Sequence, residues 1–437
     1  MKPSQKRRFV IFLAAFTARI AYYYFETQII GTPIIKLAID GFEYERLALE
    51  VLKTHSLASP RFILRPPLYT FLVTAMFGLG GWRQFLMVAP NIVLGSLNAV
   101  LTYHLARRLL DDRRLAFIAG LVVALDLGSI IADSAPMTEA LHNIFLTTSL
   151  LFLLRFVQRR SGADLIISGF SLALATLTRP LSLYLVPVVI LGVILFRREY
   201  WRAALGYLVV FYALIGAWVY RNYYYTSIPE LGTDAAYTIL FTHGVSVLAH
   251  ATGEPPGKVE TQLEREIEVR LGNIDDPSDK ANTHIRGYNI NFFPDTPERV
   301  NMMYRMAREI FLEHPVWFLL TFPVGFVRMF GWSTNSRIPQ VIQIWPNLVF
   351  ISLLLIGLWH LLRRRKFAVL AAILIPSAIY TLLTLVATTS HVETRFRTPF
   401  TPLLAAACAV GIQVVGSWLG GQRAQGIAGG LLDGDGP

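Results

Sequence analysis

Long apolar runs separated by short polar turns set the pattern of this chain. A membrane-crossing helix needs ~20 apolar residues. Runs of about that length recur at about 9–29, 85–106, 114–133, 136–154, 163–178, 180–196, 203–220, 341–362, 367–389 and 399–418. The pattern predicts an all-α polytopic membrane protein, a bundle of about ten spans. Basic clusters fall between the runs: Lys6-Arg7-Arg8; Arg107, Arg108, Arg113 and Arg114; Arg155, Arg159 and Arg160; Arg197, Arg198 and Arg202; and Arg363 to Lys366. Ten spans place all of them on one side, which the positive-inside bias makes cytoplasmic. Residues 1–8 and the apolar run after them look like a signal peptide. The run is too long for one and lacks a small-residue cleavage site, so it reads as an uncleaved first span.

Two other apolar stretches, 66–81 and 315–332, would invert that parity if they crossed. Both are short, flanked by proline and aromatic, which predicts interfacial or re-entrant helices on the outer face. The chain then divides into an N-terminal membrane module, 1–220, containing a first outer loop, 30–84; a large outer loop with short helices, 221–340; C-terminal spans, 341–419; and a Gly-rich tail, 420–437, expected to be disordered. In the first loop Tyr44, Leu47, Ala48 and Val51 share one helical face. The second loop predicts a helix near 258–271, a polar loop with Asn273, Asp275 and Asp276, and a helix from Pro297 to His314 capped by Thr296.

Composition agrees: 437 residues, 54% hydrophobic and only 16% charged, against ~25% charged in a soluble domain. The net charge of +11 sits in the inter-span clusters rather than on one face, so it reports topology and not nucleic-acid binding. The one cysteine, Cys408, lies in an apolar run and excludes a disulfide within the chain.

Candidate chemistry gathers at the expected outer ends of the spans. Asp40 opens the first loop, with Glu43 three residues on, a capping-box-like arrangement. The same carboxylate, beside a membrane-embedded ligand, suits a general base or a metal ligand. Glu43 is the poorer partner, because a helix turns it away from the first residue. Asp133 and Glu139 flank the turn between the third and fourth spans, and Glu139 is the stronger functional candidate. Arg179, Arg221, Arg395 and Arg397 stand on the outer side, against the usual bias, where a planar guanidinium suits a phosphate. His391 and Glu393 lie in the same last outer turn. His243, His250 and His284 lack metal-ligand spacing, and there is no phosphate loop or dinucleotide fingerprint. Arg19 and Asp126 are the main charges expected near the membrane midplane.

The arrangement resembles the polytopic GT-C glycosyltransferases that use polyprenyl-phosphate sugars, among them protein O-mannosyltransferases and lipid A aminoarabinose transferases. The resemblance rests on Asp40 with Tyr44 and Ala48, Arg65-Pro66-Pro67-Leu68-Tyr69, Ala106-Arg107-Arg108-Leu109, Thr138-Glu139, Leu177-Thr178-Arg179-Pro180, Arg221-Asn222, Glu313-His314-Pro315 and Glu393 to Pro399. It implies a multi-pass protein of the plasma membrane with an extracytoplasmic active site. Asp40 would act as base, with Glu139 as a second catalytic acid, Arg179, Arg221, Arg395 and Arg397 on the donor phosphate, and Tyr44, Arg65, Tyr69, His391 and Glu393 around the substrates. The partners implied are a polyprenyl-phosphate sugar, a lipid, glycan or protein acceptor, and membrane lipid. No cofactor is demanded, and a divalent metal stays an open alternative. Members often carry a second acid after the first; here Gly41 follows Asp40. The expected reaction is an inverting sugar transfer.

The rival class is a transporter or lipid-translocating protein without catalysis. It accounts for the spans and the arginines, but it should place ionisable residues at the midplane rather than at one face.

Overall fold

The computed structural model describes residues 3–38, 40–272, 296–331, 338–388 and 392–430, with side chains to Leu419. The described residues are helical with no strand. The first helix, α1 (Pro3–Tyr24), continues through a π turn to Ile29. In the first loop, α2 (Gly41–Thr54) and α3 (Pro67–Gly80) follow. The stripe read from the sequence is the buried face of α2: Tyr44, Leu47 and Ala48 are buried. With 14 residues, α3 is ~21 Å long, short of a ~30 Å hydrocarbon core.

Helix α4 (Phe85–Leu110) is one unbroken span. The expected span 114–133 is not: α5 (Arg113–Leu125) and α6 (Leu127–Asp133) meet at 54°. Asp126 causes the break. Its Oδ2 accepts from Ser129 N at 2.9 Å and Ser129 Oγ at 2.8 Å, restarting the helix as an N-cap. Helix α7 (Glu139–Arg159) is long enough to span; α8 (Gly162–Thr176) and α9 (Val186–Phe196) are shorter, with a 3₁₀ stretch opened by Pro180, Pro180–Leu185, between them. Helix α10 (Trp201–Thr226) completes this half.

The second loop has its own core. Helices α11 (Asp234–Thr238), α12 (Val245–Thr252), α13 (Pro256–Arg270) and α14 (Pro297–Glu313), with a π-helical segment, Ile239–Gly244, between the first two, bury Leu240, Val259, Leu263, Ile267, Met303 and Met306 together. Thr296 caps α14 as expected, accepting from Arg299 N at 3.2 Å. Asn273, Asp275, Asp276 and His284 lie outside the described residues. Helix α15 (Pro315–Met329) leaves α14 at 99° and is likewise too short to cross alone. The last helices are α16 (Gln340–Arg363), α17 (Phe367–Ala387) and α18 (Thr401–Gly430). A Cβ at Gly357 would overlap the Ala407 carbonyl, and one at Gly411 that of Leu353, so glycines let α16 and α18 touch backbone to backbone. Helix α18 runs past Leu419, where the sequence reading began a disordered tail; its Gln422-Arg423-Ala424-Gln425 stretch consists of good helix formers.

Among the described residues, seven helices are long and apolar enough to cross a membrane, or up to nine if each bent pair counts as one span. The chain is an integral membrane protein; of the ten expected segments, 114–133 is bent at Asp126, and 163–178 and 180–196 correspond to the shorter apolar helices Gly162–Thr176 and Pro180–Phe196.

Candidate active site

Asp40 stands just before α2 and does not cap it; its side chain makes no capping hydrogen bond. The chain is turned by packing instead. Leu37 and Ala38 bury against Ala135 and Met137, and a Cβ on Gly41 would lie 2.8 Å from Pro136 Cγ. The start of α2 is thus pressed onto the turn preceding Glu139. Asn91 holds that turn from below, donating to the Ala135 and Met137 carbonyls at 2.9 and 2.8 Å. This close approach is a physical reason for glycine after Asp40, where the resemblance leads to a second acid.

The Asp40 carboxylate faces arginines. Arg65 Nη2 donates to Asp40 Oδ1 at 3.1 Å and Arg65 Nε to Glu43 Oε2 at 2.5 Å. Arg65 Nη1 is 3.7 Å from Asp234 Oδ2. Glu43 therefore does share a partner with Asp40: Arg65 is long enough to span one helical turn. Asp234 belongs to the second loop and was not singled out from the sequence. Backbone bonds from Thr233 N to the Ile63 carbonyl (2.9 Å) and from Asp234 N to the Leu64 carbonyl (3.2 Å) deliver it. The signal available was only the turn Gly232-Thr233-Asp234.

On the other side, Glu139 is buried and Arg179 Nη1 donates to its Oε1 at 2.5 Å. Arg395 Nη1 lies 3.9 Å from the same oxygen and 4.0 Å from Asp40 Oδ2. Arg395 is held from behind: Asn143 Nδ2 donates to Thr398 Oγ1 at 2.9 Å, and that hydroxyl donates to the Arg395 carbonyl at 2.8 Å. Four distant segments thus bring Asp40, Arg65, Glu139, Arg179 and Arg395 together. The site is open on the Asp40 side, where 34% of that side chain is exposed, against 23% for Arg179 and 19% for Arg395.

Charges tune the acids. Burial would raise Asp40, but Arg65, Arg395 and Arg179 together outweigh it and hold its carboxyl below the usual range. Burial pushes Glu43 and Asp234 upward despite Arg65, and Asp40 adds to both. Among the described residues, no three His, Cys, Asp or Glu side chains are grouped as a metal set. Tyr44 lies below Arg65, whose Cζ is 5.9 Å from its ring, and packs edge-on against Tyr69 at 4.8 Å. Tyr69 is fully buried, and its hydroxyl donates to the Met87 carbonyl at 3.2 Å; it supports α2 rather than facing the opening.

Two expected phosphate arginines are elsewhere. Arg397 is fully buried; its Nη2 meets Asp126 Oδ1 at 2.5 Å and its guanidinium lies 4.3 Å from the Phe350 ring centre. Arg221 folds back on the first loop, donating to the carbonyls of Leu57 and Ser59 among the rings of Phe62, Trp218 and Tyr225. Arg19 pairs with Asp133 at 2.8 Å, both buried. Glu393 is buried and stands just before the 3₁₀ turn Thr394–Arg397; His391 lies outside the described residues.

A family model described as dolichyl-phosphate-mannose-protein mannosyltransferase matches residues 64–220. That stretch, roughly a third of the chain, contains Arg65, Glu139 and Arg179 but not Asp40 or Arg395. Among curated proteins no sequence matches significantly. Among solved structures, the apo oligosaccharyltransferase of Archaeoglobus fulgidus aligns with 98% of this chain and 52% of its own, at TM-score 0.54 and 15% identity. The oligosaccharyltransferase AglB of the same organism, in complex with an inhibitory peptide and a dolichol-phosphate, aligns with 97% and 52%, at TM-score 0.54 and 14% identity. ArnT from Cupriavidus metallidurans bound to undecaprenyl phosphate aligns with 95% and 80%, at TM-score 0.39 and 15% identity. The chain spans about half the length of the archaeal enzyme, and at such identity what they share is the fold. By its family-model match and its fold, the chain resembles the GT-C glycosyltransferases that work with polyprenyl-phosphate carriers.

Proposed function

We propose that the protein moves one sugar from a polyprenyl-phosphate donor to an acceptor hydroxyl or amine where Asp40, Glu139, Arg179 and Arg395 meet. One observation carries this reading: Arg395 stands between Asp40 and Glu139, at 4.0 and 3.9 Å, at the open side of the site. Arg179 and Arg395 are placed to receive a phosphate, and Asp40, kept ionised, is placed to take a proton. The acceptor oxygen or nitrogen attacks the anomeric carbon and gives its proton to Asp40. The bond from that carbon to the phosphate oxygen breaks, and the phosphate leaves with the electron pair. The arginines stabilise the charge that develops on it, and no general acid is needed. A single displacement of this kind inverts the anomeric centre. Buried Glu139 takes the role of positioning residue, fixing Arg179 and Arg395.

An extracytoplasmic site is supported by helix length and charge. Glu139 and Arg159 end the 21 residues of α7, ~30 Å apart, and charge bias favours the basic end as the cytoplasmic one. The two charges a transport reading would use, Arg19 and Asp126, are each paired with a buried partner, Asp133 and Arg397, which favours the transfer reading. The test is turnover of a panel of prenyl-phosphate sugars by the purified protein, with released prenyl phosphate and the glycosylated acceptor both measured. Movement of such lipids across a vesicle membrane without any sugar release would overturn the proposal.

A further inference from the structure

At the opposite end from Asp40, the last turns of α4 carry His104, Arg107 and Arg108, and Asp111 follows as the left-handed C-cap. With Gln158 of α7 they line a cavity of about 520 Å³. The spacing puts His104, Arg107 and Arg108 on one helix face. Arg108 is fixed there by an amide. Its Nη1 donates to Gln158 Oε1 at 3.0 Å, and Gln158 Nε2 donates back to the Arg108 carbonyl at 2.9 Å. An amide positions a guanidinium without neutralising it. Arg107 does meet a carboxylate, Asp111, at 3.1 Å, but that side chain is 95% exposed, and exposed pairs hold weakly.

The surroundings add positive charge. Arg155 and Arg159 are close enough to repel Arg108, and Arg8 acts on His104 from α1. Asp164 also acts on Arg108, but its direct partner is Arg155, at 3.0 Å, and Asp112 caps α5 through Arg114 N and Leu115 N. Helix C-termini favour cations, which explains why arginines stand here. It does not explain why Arg108 is held beside a cavity by an amide instead of a carboxylate.

We propose that this cavity binds the phosphate headgroup of an anionic membrane lipid. Helix α4 has 26 residues, ~39 Å, which exceeds a ~30 Å hydrocarbon core and leaves its last turns at headgroup depth. Basic pockets between spanning helices on the cytoplasmic side recognise such headgroups. Phe9, next to Arg8, and Val157, next to Gln158, are 56% and 47% exposed, offering apolar surface to acyl chains. The inference stands apart from the sugar-transfer reading.

The test is native mass spectrometry of the full chain in detergent, with phosphatidylglycerol or phosphatidylcholine added at matched concentration. One phosphatidylglycerol should be retained in preference. Gln158→Glu keeps the side chain's size but gives Arg108 a carboxylate, and Arg108→Gln removes the charge. Each should lower retention about tenfold or more, the worth of a charge-assisted contact. Arg364→Gln, in a basic cluster outside the cavity, should leave retention unchanged. Equal retention of phosphatidylcholine, or an equal loss in Arg364→Gln, would overturn the site. Displacement of the lipid by millimolar inorganic phosphate would overturn the lipid and leave a free-phosphate site. Should Arg108→Gln fail to fold, Gln158→Glu decides.

Discussion

Arg395 Nη1 lies 4.0 Å from Asp40 Oδ2, joining the first polar loop of the chain to the last. The same nitrogen is 3.9 Å from Glu139, so the guanidinium is shared at long range and not saturated by either acid. A group so placed can take a phosphate without first breaking a tight pair. Arg395→Ala should therefore weaken donor binding about tenfold or more, from the loss of a charge-assisted contact. Donor titration of the purified variant reads this directly, and wild-type affinity would remove Arg395 from the donor site.

The pH profile offers a second reading of that pair. Asp40 must be ionised to accept a proton, and three arginines hold it below the usual carboxylate range. A depressed carboxyl contributes stability and activity that are present above its ordinary value of ~3.9 and are lost only as pH falls through the lower folded value. In wild type kcat/KM should thus stay level down to about pH 4. Arg395→Gln removes one lowering charge, so the acidic limb should move to higher pH. A wild-type limb centred near pH 6 would contradict the assignment of Asp40 as base.

Much of this site was legible in the sequence. Asp40, Arg65, Glu139, Arg179 and Arg395 all stand where acids or arginines interrupt apolar runs, and such interruptions are costly unless paired or used. What could not be read was direction. Arg395 and Arg397 share one 3₁₀ turn, Thr394–Arg397, and residues two apart on such a turn point to different sides. One meets Asp40 and the other Asp126. Arg221 was misplaced for a related reason: the rings around it capture its guanidinium. Asp234 depends on backbone bonds to residues 63 and 64, a pairing with no local signature. The bend within 114–133 was not legible either: Asp126 caps a new helix inside a run that composition alone reads as continuous.

That break gives a stability prediction. Arg397 and Asp126 are 0% and 3% exposed and meet at 2.5 Å. Removing one partner of a buried pair leaves the other charge uncompensated, at a typical cost of ~3–5 kcal/mol. Arg397→Ala should unfold at markedly lower temperature in detergent. Arg397→Met with Asp126→Asn removes both charges and keeps a capping side chain, so it should recover most of the loss. If the double variant melts no higher than Arg397→Ala, the pair is not what holds α6 to the 394–397 turn.

Asp40→Asn separates catalysis from architecture most sharply. The sequence allowed a helix-capping role, in which Asn would serve about as well as Asp. The Asp40 side chain makes no capping bond, so an amide there should leave α2 intact, and its oxygen can still accept from Arg65. What the amide cannot do is take a proton at neutral pH. Asp40→Asn should therefore melt within about 1 kcal/mol of wild type, retain donor binding, and lose ~10²–10⁴ in turnover, the usual worth of a general base. Asp40→Glu should recover little. Its extra methylene moves the carboxylate by about an ångström, enough to cost ~10²-fold in a positioned reaction, and Pro136 and Arg65 leave the backbone little room to retreat. Turnover of a prenyl-phosphate sugar by wild type and both variants, at matched folding, is the measurement. An Asp40→Asn enzyme within a few-fold of wild type would transfer the search for the base to Glu139, whose burial and pairing with Arg179 would then need another explanation.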